Sequence, residues 1–503
     1  MMQTFRASRM PVLAENHTAR RRRFACGWTG MTAVAILATS TLAHGQQTTE
    51  QLQSQSQAQS ALAQAIPGNP VAGSVPTGKA TDGVLALTLD DAIQMGLKHN
   101  LGVILQDQST SQAGGTKLQQ LQPLLPTVTG TGEVSVQQVN LVAQGLRFNV
   151  PGFPKVIGPF GVTDIRASLT QSLINVNSLE SYLAAKHNFE AQKLSLQDVR
   201  DMVVLSVGNA YLVCLADAAH VDSETADLAA SKLSLDQAVA NHDAGTSPKL
   251  DLLRAQVDYQ TTEQQQITAI NQFEKDKIAL ARAIGMSLEQ KFTLADKAPF
   301  AAFDAIDVDK AIADAEANRS DLKADVEQVK SAESQRKAAI AERIPELSFS
   351  GDYGDIGVNP SKSHGTGNAN GKLTVPLFEE MKLQGDQKAA NATLTQKQAQ
   401  LNDARNQVDA DVRDSLLDIA SAAKLVTAAD TNRQMSAEAL DEARERFKAG
   451  VSDNLAVSEA LAQLEQANTQ YIAALYQHNV AKLSLARAMG VAAGKYKDYL
   501  GGK

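Results

Sequence analysis

The sequence is poor in the residues that build disulfide scaffolds, thiolate metal centres and aromatic cores. Two cysteines among 503 residues exclude a disulfide framework and a multi-thiolate metal site. Aromatic residues make up only 4%, with a single tryptophan, a small share for a large globular core. All 14 prolines lie at or before Pro376, so the last quarter of the chain holds no strong helix breaker. No segment after the N-terminal region has ~18 consecutive apolar residues, so no transmembrane helix is expected. A net charge of −8 argues against a protein whose main work is coating nucleic acid. What is present, 43% hydrophobic and 20% charged residues, is not the composition of a disordered polymer.

Residues 1–45 read as a secretory signal peptide. Arg20 to Arg23 form a basic cluster, an apolar stretch runs from about Met31 to Leu42, and Ala43-His44-Gly45 offers small residues at a cleavage site. The alternative, a membrane anchor, needs ~20 apolar residues, more than this stretch supplies. Arg-Arg followed by Phe24 faintly suggests a twin-arginine signal, though general export fits better. Cleavage removes six of 47 basic residues and one of 55 acids, leaving 41 against 54. It also removes Cys26 and Trp28, so the mature chain keeps one thiol, Cys214. Residues 46–86, rich in Gln, Ser, Thr, Pro and Gly, read as a disordered arm.

Length alone suggests about three domains. An internal duplication gives a different organisation. A shift of 219 places Ala92-Ile93 on Ala311-Ile312, Leu125-Pro126 on Ile344-Pro345 and Gly132 on Gly351. A shift of 204 matches Leu169-Thr170 with Leu373-Thr374 and Leu173 with Leu377. A shift of 205 then holds from Gly245/Gly450 to Gly285/Gly490. The first copy therefore carries about 15 extra residues between Gly132 and Leu169, expected in a loop. The expected layout is repeat 1 over 87–286, a connector over 287–306, repeat 2 over 307–492 and a tail over 493–503.

Each copy reads the same way. Thr88 to Gln120 has a helical period and ends near Pro123 and Pro126. The period then becomes two. Val128, Val134 and Val136 alternate with Thr and Glu, and Leu347, Phe349 and Tyr353 alternate with Ser and Asp. Return strands follow at Ile165–Leu173 and Leu373–Leu377, giving four strands with loops at 139–163 and 358–368. Next comes a proline-free stretch, Ser178 to His242, with one glycine, Gly208; as helix it would span about 100 Å. Seven-residue steps at Val207, Cys214, Val221, Leu228 and Leu235 mark a coiled-coil-like stripe, repeated at Val412, Ile419, Val426, Arg433, Leu440 and Phe447. Turns at Ala244-Gly245 and Ala449-Gly450 lead into return helices, with Ser247 and Ser452 as candidate caps. Four amphipathic strands cannot close a barrel alone, since small barrels need about eight, so the pattern points to an oligomer.

In this order the chain resembles the TolC-like outer membrane efflux proteins, also called outer membrane factors. The resemblance covers about 87–492. Leu87-Thr88-Leu89-Asp90-Asp91-Ala92-Ile93 with His99-Asn100 looks like the family's opening helix, and Pro126 and Pro345 stand where its strands begin. Ala244-Gly245 and Ala449-Gly450 look like its helical tips. The fold class expected is mainly α with a small β part. The resemblance implies a homotrimer with a 12-strand outer membrane β-barrel in lipid and a periplasmic tunnel of 12 helices. It also implies docking of a periplasmic adaptor (membrane fusion protein) and an inner-membrane pump onto the tips.

Gly245, Thr246, Ser247, Leu250, Gly450, Val451, Ser452 and Leu455 are the candidate adaptor contacts, because small residues let another helical hairpin approach the backbone. Some relatives close the tunnel with two acids three residues apart after the second tip. Here those places resemble Ala456 and Glu459, with Asp251 and Arg254 in the first copy. Asp251 and Glu459 are thus candidate constriction residues, although Asp251 and Arg254 also fit a simple i,i+3 pair.

No enzyme, cofactor or metal site is expected. The eight histidines are scattered, with no His-Glu-x-x-His pair and no Gly-x-Ser-x-Gly elbow. Gly367 to Lys372 is one residue short of a phosphate loop, has Leu373 where Ser or Thr is required, and reads as a mobile loop. Cys214 lies on the heptad stripe and reads as core. Charged runs on the helices read as solvated faces. The alternative function is a periplasmic coiled-coil adaptor or structural export protein, which would show one helical hairpin and a lipoyl-like domain.

Overall fold

The computed structural model describes residues 71, 73–76, 83–145, 154–296, 301, 303, 306–449, 451–452 and 454–500. The expected signal peptide, nearly all of the arm, Gly450 and the middle of the first hairpin loop lie outside them. In chain order the elements are β1 (Leu85–Leu87), α1 (Leu89–His99), α2 (Leu101–Leu121), β2 (Thr127–Asn140) and β3 (Val156–Ile174). Then come α3 (Val176–Asp243), α4 (Lys249–Ile284), β4 (Phe292–Leu294), α5 (Val308–Asn318) and α6 (Ser320–Ala341). The chain finishes with β5 (Glu346–Gly357), β6 (Ser363–Thr374), α7 (Glu380–Lys448), α8 (Asn454–Ala488) and α9 (Ala492–Leu500). The chain is mainly helical with a small β part, and the order α1–α2–β2–β3–α3–α4 recurs as α5–α6–β5–β6–α7–α8.

The 68 residues of α3 and 69 of α7 each extend about 100 Å. Asn175 starts α3 by accepting a hydrogen bond from Ser178 N at 2.8 Å. The helices α4 and α8 run back and stop at Gly285 (φ +76°) and Gly490 (φ +67°), in the left-handed region that favours glycine.

Three expectations change here. The single helix over Thr88–Gln120 is two, α1 and α2, because buried Asn100 adopts an extended ψ of 133°. Its side chain accepts from Gly102 N at 2.8 Å and donates to Val71 O at 2.6 Å, so the break leaves no polar group stranded. The apolar period passes through such a break unaltered, which hides it from pattern reading. Second, the described strands number six, not four: β1 and β4 form a short parallel pair, Leu85 to Leu87 against Phe292 to Leu294. Third, the extra residues of the first copy lengthen strands as well as the loop. β2 and β3 hold 14 and 19 residues, against 12 each in β5 and β6. Val156–Val162 and Ser363–Asn368, read as loop for their Gly, Pro and polar content, pair with neighbouring strands. Pro159 fits because the β2–β3 register shifts between Gln137 and Val139, leaving it outside the ladder. The phosphate-loop-like Gly367–Lys372 is strand β6 itself.

The main sheet is antiparallel in the order β2-β3-β5-β6, so β2 and β6 are open edges. Among the described residues its apolar face is left uncovered: Val134 is 79% exposed, Tyr353 72% and Val128 69%. Each such side chain gains ~1.5–3 kcal/mol on leaving water, on the order of 10 kcal/mol for the face, so water is not its working solvent.

The packed core lies where α1, α3, α4 and α8 meet the β1–β4 pair. Val203, Val204, Val207, Tyr211, Leu280, Ile284 and Leu483 are buried there. Gly208 lets Leu483 pack close to α3: a Cβ on it would sit 2.7 Å from Leu483 Cδ1, and the leucine side chain would have to shift. By length and composition α3 passes the test for a membrane span, contrary to expectation. It serves as the core helix instead: buried Asp201 accepts from Ala493 N at 2.7 Å beside Val203 and Val204. A second cluster joins Ala311, Ala315 and Leu322 to Val408, Val412, Ile419 and Leu485.

Arg319, between α5 and α6, fastens α6 to α7. Its buried guanidinium donates to Asp321 and Asp411, each at 2.6 Å. Arg319→Ala is expected to destabilise the protein by about 3 kcal/mol, because Asp411 loses its counter-ion and Asp321 keeps only Arg487, at 3.7 Å. Arg413→Ala, which breaks an exposed pair with Asp409, should stay within ~0.5 kcal/mol. Thermal unfolding of the two detergent-extracted variants tests this contrast, and equal effects would refute it.

Candidate functional site: helix tips and a buried acidic seam

The first tip is a left-handed C-cap. Gly245 has φ +72°, its N–H donates to His242 O at 2.9 Å, and Thr246 N–H donates to Asn241 O at 2.9 Å. The Thr246 hydroxyl also donates to Asn241 O, at 2.9 Å. At the second tip Val451 N–H donates to Arg446 O at 3.0 Å, the bond equivalent to that of Thr246. Leu250, Val451 and Leu455 are exposed, so both tips present apolar side chains beside compact turns. A Cβ on Gly245 would meet nothing within 4 Å, so the turn backbone is open to approach. Ser247 does not cap α4 as expected. Pro248 occupies that position, and the Ser247 hydroxyl is buried without a partner.

The two candidate constriction residues are not joined. Asp251 stands 3.8 Å from Arg254, the i,i+3 pair foreseen from spacing, while Glu459 is exposed. Contact between α4 and α8 involves other residues: Ser458, next to Glu459, donates to Asp258, and Gln265 donates to Glu465 at 2.9 Å.

Above the tips the bundle buries acids that were read as solvated. Glu224, Ser231 and Ala238 follow one another by sevens along α3, with Asp227 beside them, and all four are buried. The seam thus has two stripes: Val207 and Cys214 on one, and from Asp217 on a polar one three residues out of phase. Glu224 sees His220 at 3.7 Å, Asp227 on its own helix and Glu465 of α8, while its Oε2 has no partner. Burial, then repulsion from Glu465 and Asp227, pushes its carboxyl up to about 7. Burial also raises Asp227, against the Ser223 hydroxyl, and Glu465, where Asp227 adds and Gln265 opposes. Burial beside Asp276 raises Asp217 and, with the same neighbour, holds the Cys214 thiol protonated, so Cys214 is core and not a nucleophile. The signal for this seam was present in the seven-residue spacing of 217, 224, 231 and 238. Charge at two of those places disguised it as surface.

The family model described as outer membrane efflux protein matches residues 112–286 and 311–491. This chain belongs to the outer membrane efflux protein family. The efflux protein shares its fold with solved outer membrane channels. VceC from Vibrio cholerae is 17% identical, with a TM-score of 0.70 over 80% of this chain and 96% of that one. The CmeC channel of Campylobacter jejuni is 16% identical, with a TM-score of 0.72 over 85% and 93%. The open state of the MtrE channel of Neisseria gonorrhoeae is 17% identical, with a TM-score of 0.65 over 83% and 94%. No curated protein sequence matches the efflux protein. It is a TolC-like efflux protein of the bacterial outer membrane, which sets aside the adaptor alternative.

Glu224 of the efflux protein gives a pH test. A carboxyl raised from 4.5 to about 7 on folding contributes stability below pH 4.5 that is lost as pH rises through 7. Glu224→Gln should therefore leave the melting temperature unchanged near pH 4 and raise it at pH 8. A variant less stable than the parent at pH 8 would overturn this assignment.

Proposed function

We propose that three copies of this chain form the outer membrane duct of a tripartite efflux or type I secretion system. Twelve strands would close a barrel in lipid, and the helices α3, α4, α7 and α8 of three copies would form a 12-helix periplasmic tunnel. A periplasmic adaptor, carrying an inner-membrane pump, would dock on the tips. The observation that carries this reading is the four-stranded sheet with an uncovered apolar face and two open edges, mounted on helical hairpins about 100 Å long. The polar face, with Thr129, Thr131, Glu133, Lys372 and Thr374, would line a wet lumen, and the hairpin ends at 141–145 and 358–362 would face the exterior.

The tips supply the docking test. A bulky residue at Gly245 would project into open space at a strain of ~1–2 kcal/mol for its positive φ, so damage should stay local. Gly245→Trp combined with Gly450→Trp should abolish pump-dependent export while trimers remain in the outer membrane. Normal export by this double variant would refute docking at the tips.

Asp251 and Glu459 are proposed to set the charge of the tunnel mouth, three of each per trimer. In single-channel recordings Glu459→Gln should lower cation selectivity, and Asp251→Asn should do less because Arg254 already offsets it. Unchanged selectivity in both would remove these residues from the constriction.

A further inference from the structure

The two hairpins of the sheet superpose residue for residue. Thr127 pairs with Thr170 in β2–β3, and Glu346 pairs with Thr374 in β5–β6. The offsets are 219 between β2 and β5 and 204 between β3 and β6, the shifts read from the sequence. The chain also contains the joint between hairpins, β3 against β5, with Thr170 opposite Ser350, Ser168 opposite Asp352 and Ala167 opposite Tyr353. That joint is a template for how an open β6 edge meets an open β2 edge.

Resting on the trimeric reading above, we infer that β6 of one copy pairs with β2 of the next in the register Thr374 to Thr131, which sets Lys372 opposite Glu133. The same offsets carry Leu169–Gly351 onto Leu373–Gly132, Ala167–Tyr353 onto Gly371–Val134, and Ile165–Asp355 onto Ala369–Val136.

Three observations independent of the template agree with this register. Charge is complementary: Lys372 and Glu133 are exposed, and neither forms an ion pair with a described residue of its own chain. The template joint has its own cross-strand ion pair at the matching acid, Arg166 to Asp352 at 3.2 Å. Size is complementary too, since Leu373 meets Gly132 and Val134 meets Gly371. A Cβ on either glycine has nothing within 4 Å in the single chain, so each leaves room for the larger side chain of its neighbour. Polarity matches throughout, with Asn370 against Ser135 and Thr374 against Thr131. A slip of one residue would instead set the polar face of one strand beside the apolar face of the other.

The pairing also covers the most exposed large apolar residues among those described. Leu377, Phe378 and Met381, between β6 and the first turn of α7, are 90%, 98% and 87% exposed. In the template Ile174 lies opposite Leu347, and Asn177 Nδ2 of α3 donates to Ala338 O of α6 at 3.0 Å. Carried over, Phe378 meets Val128 of the next copy and Met381 meets its α2 near Gln119, beside exposed Leu118. The start of α7 thus packs on the next copy's α2 as α3 packs on α6 within the chain.

Paired residues in an antiparallel ladder hold their Cβ atoms ~4.5–5.5 Å apart, close enough for a disulfide after modest adjustment. The full chain carrying Lys372→Cys and Glu133→Cys, oxidised in outer membranes, should run largely as covalent trimers without reductant, and each single variant as monomers. Phe378→Cys with Val128→Cys should do the same. Lys372→Cys with Thr131→Cys or with Ser135→Cys should give little. If a shifted pair links and Lys372/Glu133 does not, the register is wrong while the trimeric duct stands. If no pair links and the protein is monomeric in the membrane, the register and the duct reading fail together. As a second readout, Lys372→Glu should lose the heat-resistant oligomer and Glu133→Lys in the same chain should restore it; loss without restoration overturns the pairing. If Phe378→Cys reacts with a membrane-impermeant or lipid-borne thiol reagent in assembled trimers as fast as in denatured chain, lipid or solvent covers that patch, which overturns its burial by the next copy.

Discussion

The edges of β2 and β6 leave rows of backbone N–H and C=O groups that no other described strand meets. In lipid each such group costs several kcal/mol, and no side chain substitutes for a strand. The apolar face compounds the demand, because it is stable only out of water and lipid tolerates no open edge. On the trimeric reading proposed above, a chain built this way closes its sheet with other copies. That requirement explains why four strands suffice, why the apolar residues of the sheet are left uncovered, and why Leu377, Phe378 and Met381 stand outside any core.

The helices obey a different constraint. A pair of 100 Å helices needs a continuous seam; α3 buries large aliphatic residues only in its middle, whereas α7 buries them from Leu383 to Leu440. Near the sheet, α3 packs through small or polar groups such as Ala184 against Ser331. At the equator Val203, Val204, Val207 and Tyr211 meet Leu280, Ile284 and Leu483. Toward the tips the seam becomes acidic at Glu224, Asp227 and Glu465. Burial of those carboxyls costs stability at neutral pH, while Leu440, Val457 and Ala460 form an apolar cluster toward the tip of the second hairpin.

Much of this was legible in the sequence, because period and punctuation survive without tertiary context. The two strand hairpins, the long helices and the glycine turns followed from spacing, Gly245 and Gly285 included. What was missed depends on neighbours distant in the chain. Asn100 breaks a helix without disturbing its apolar period, since its amide is satisfied by Val71 and Gly102. The β1–β4 pair joins segments 207 residues apart and only three residues long. Polar Ser363–Asn368 becomes strand because β5 lies beside it. Glu224 looks like a surface residue until α8 brings Glu465 against it. At the tips, spacing located Gly245 and its turn, but the role of Ser247 as a cap was displaced by Pro248, whose fixed φ already suits a helix start.

The central claim, that one chain supplies a third of a closed barrel, is tested most directly by the native mass of the protein extracted intact from outer membranes. The account predicts a single species of three copies after detergent removal in the mass spectrometer. A stable monomer, or a dimer that conducts ions on its own, would contradict it.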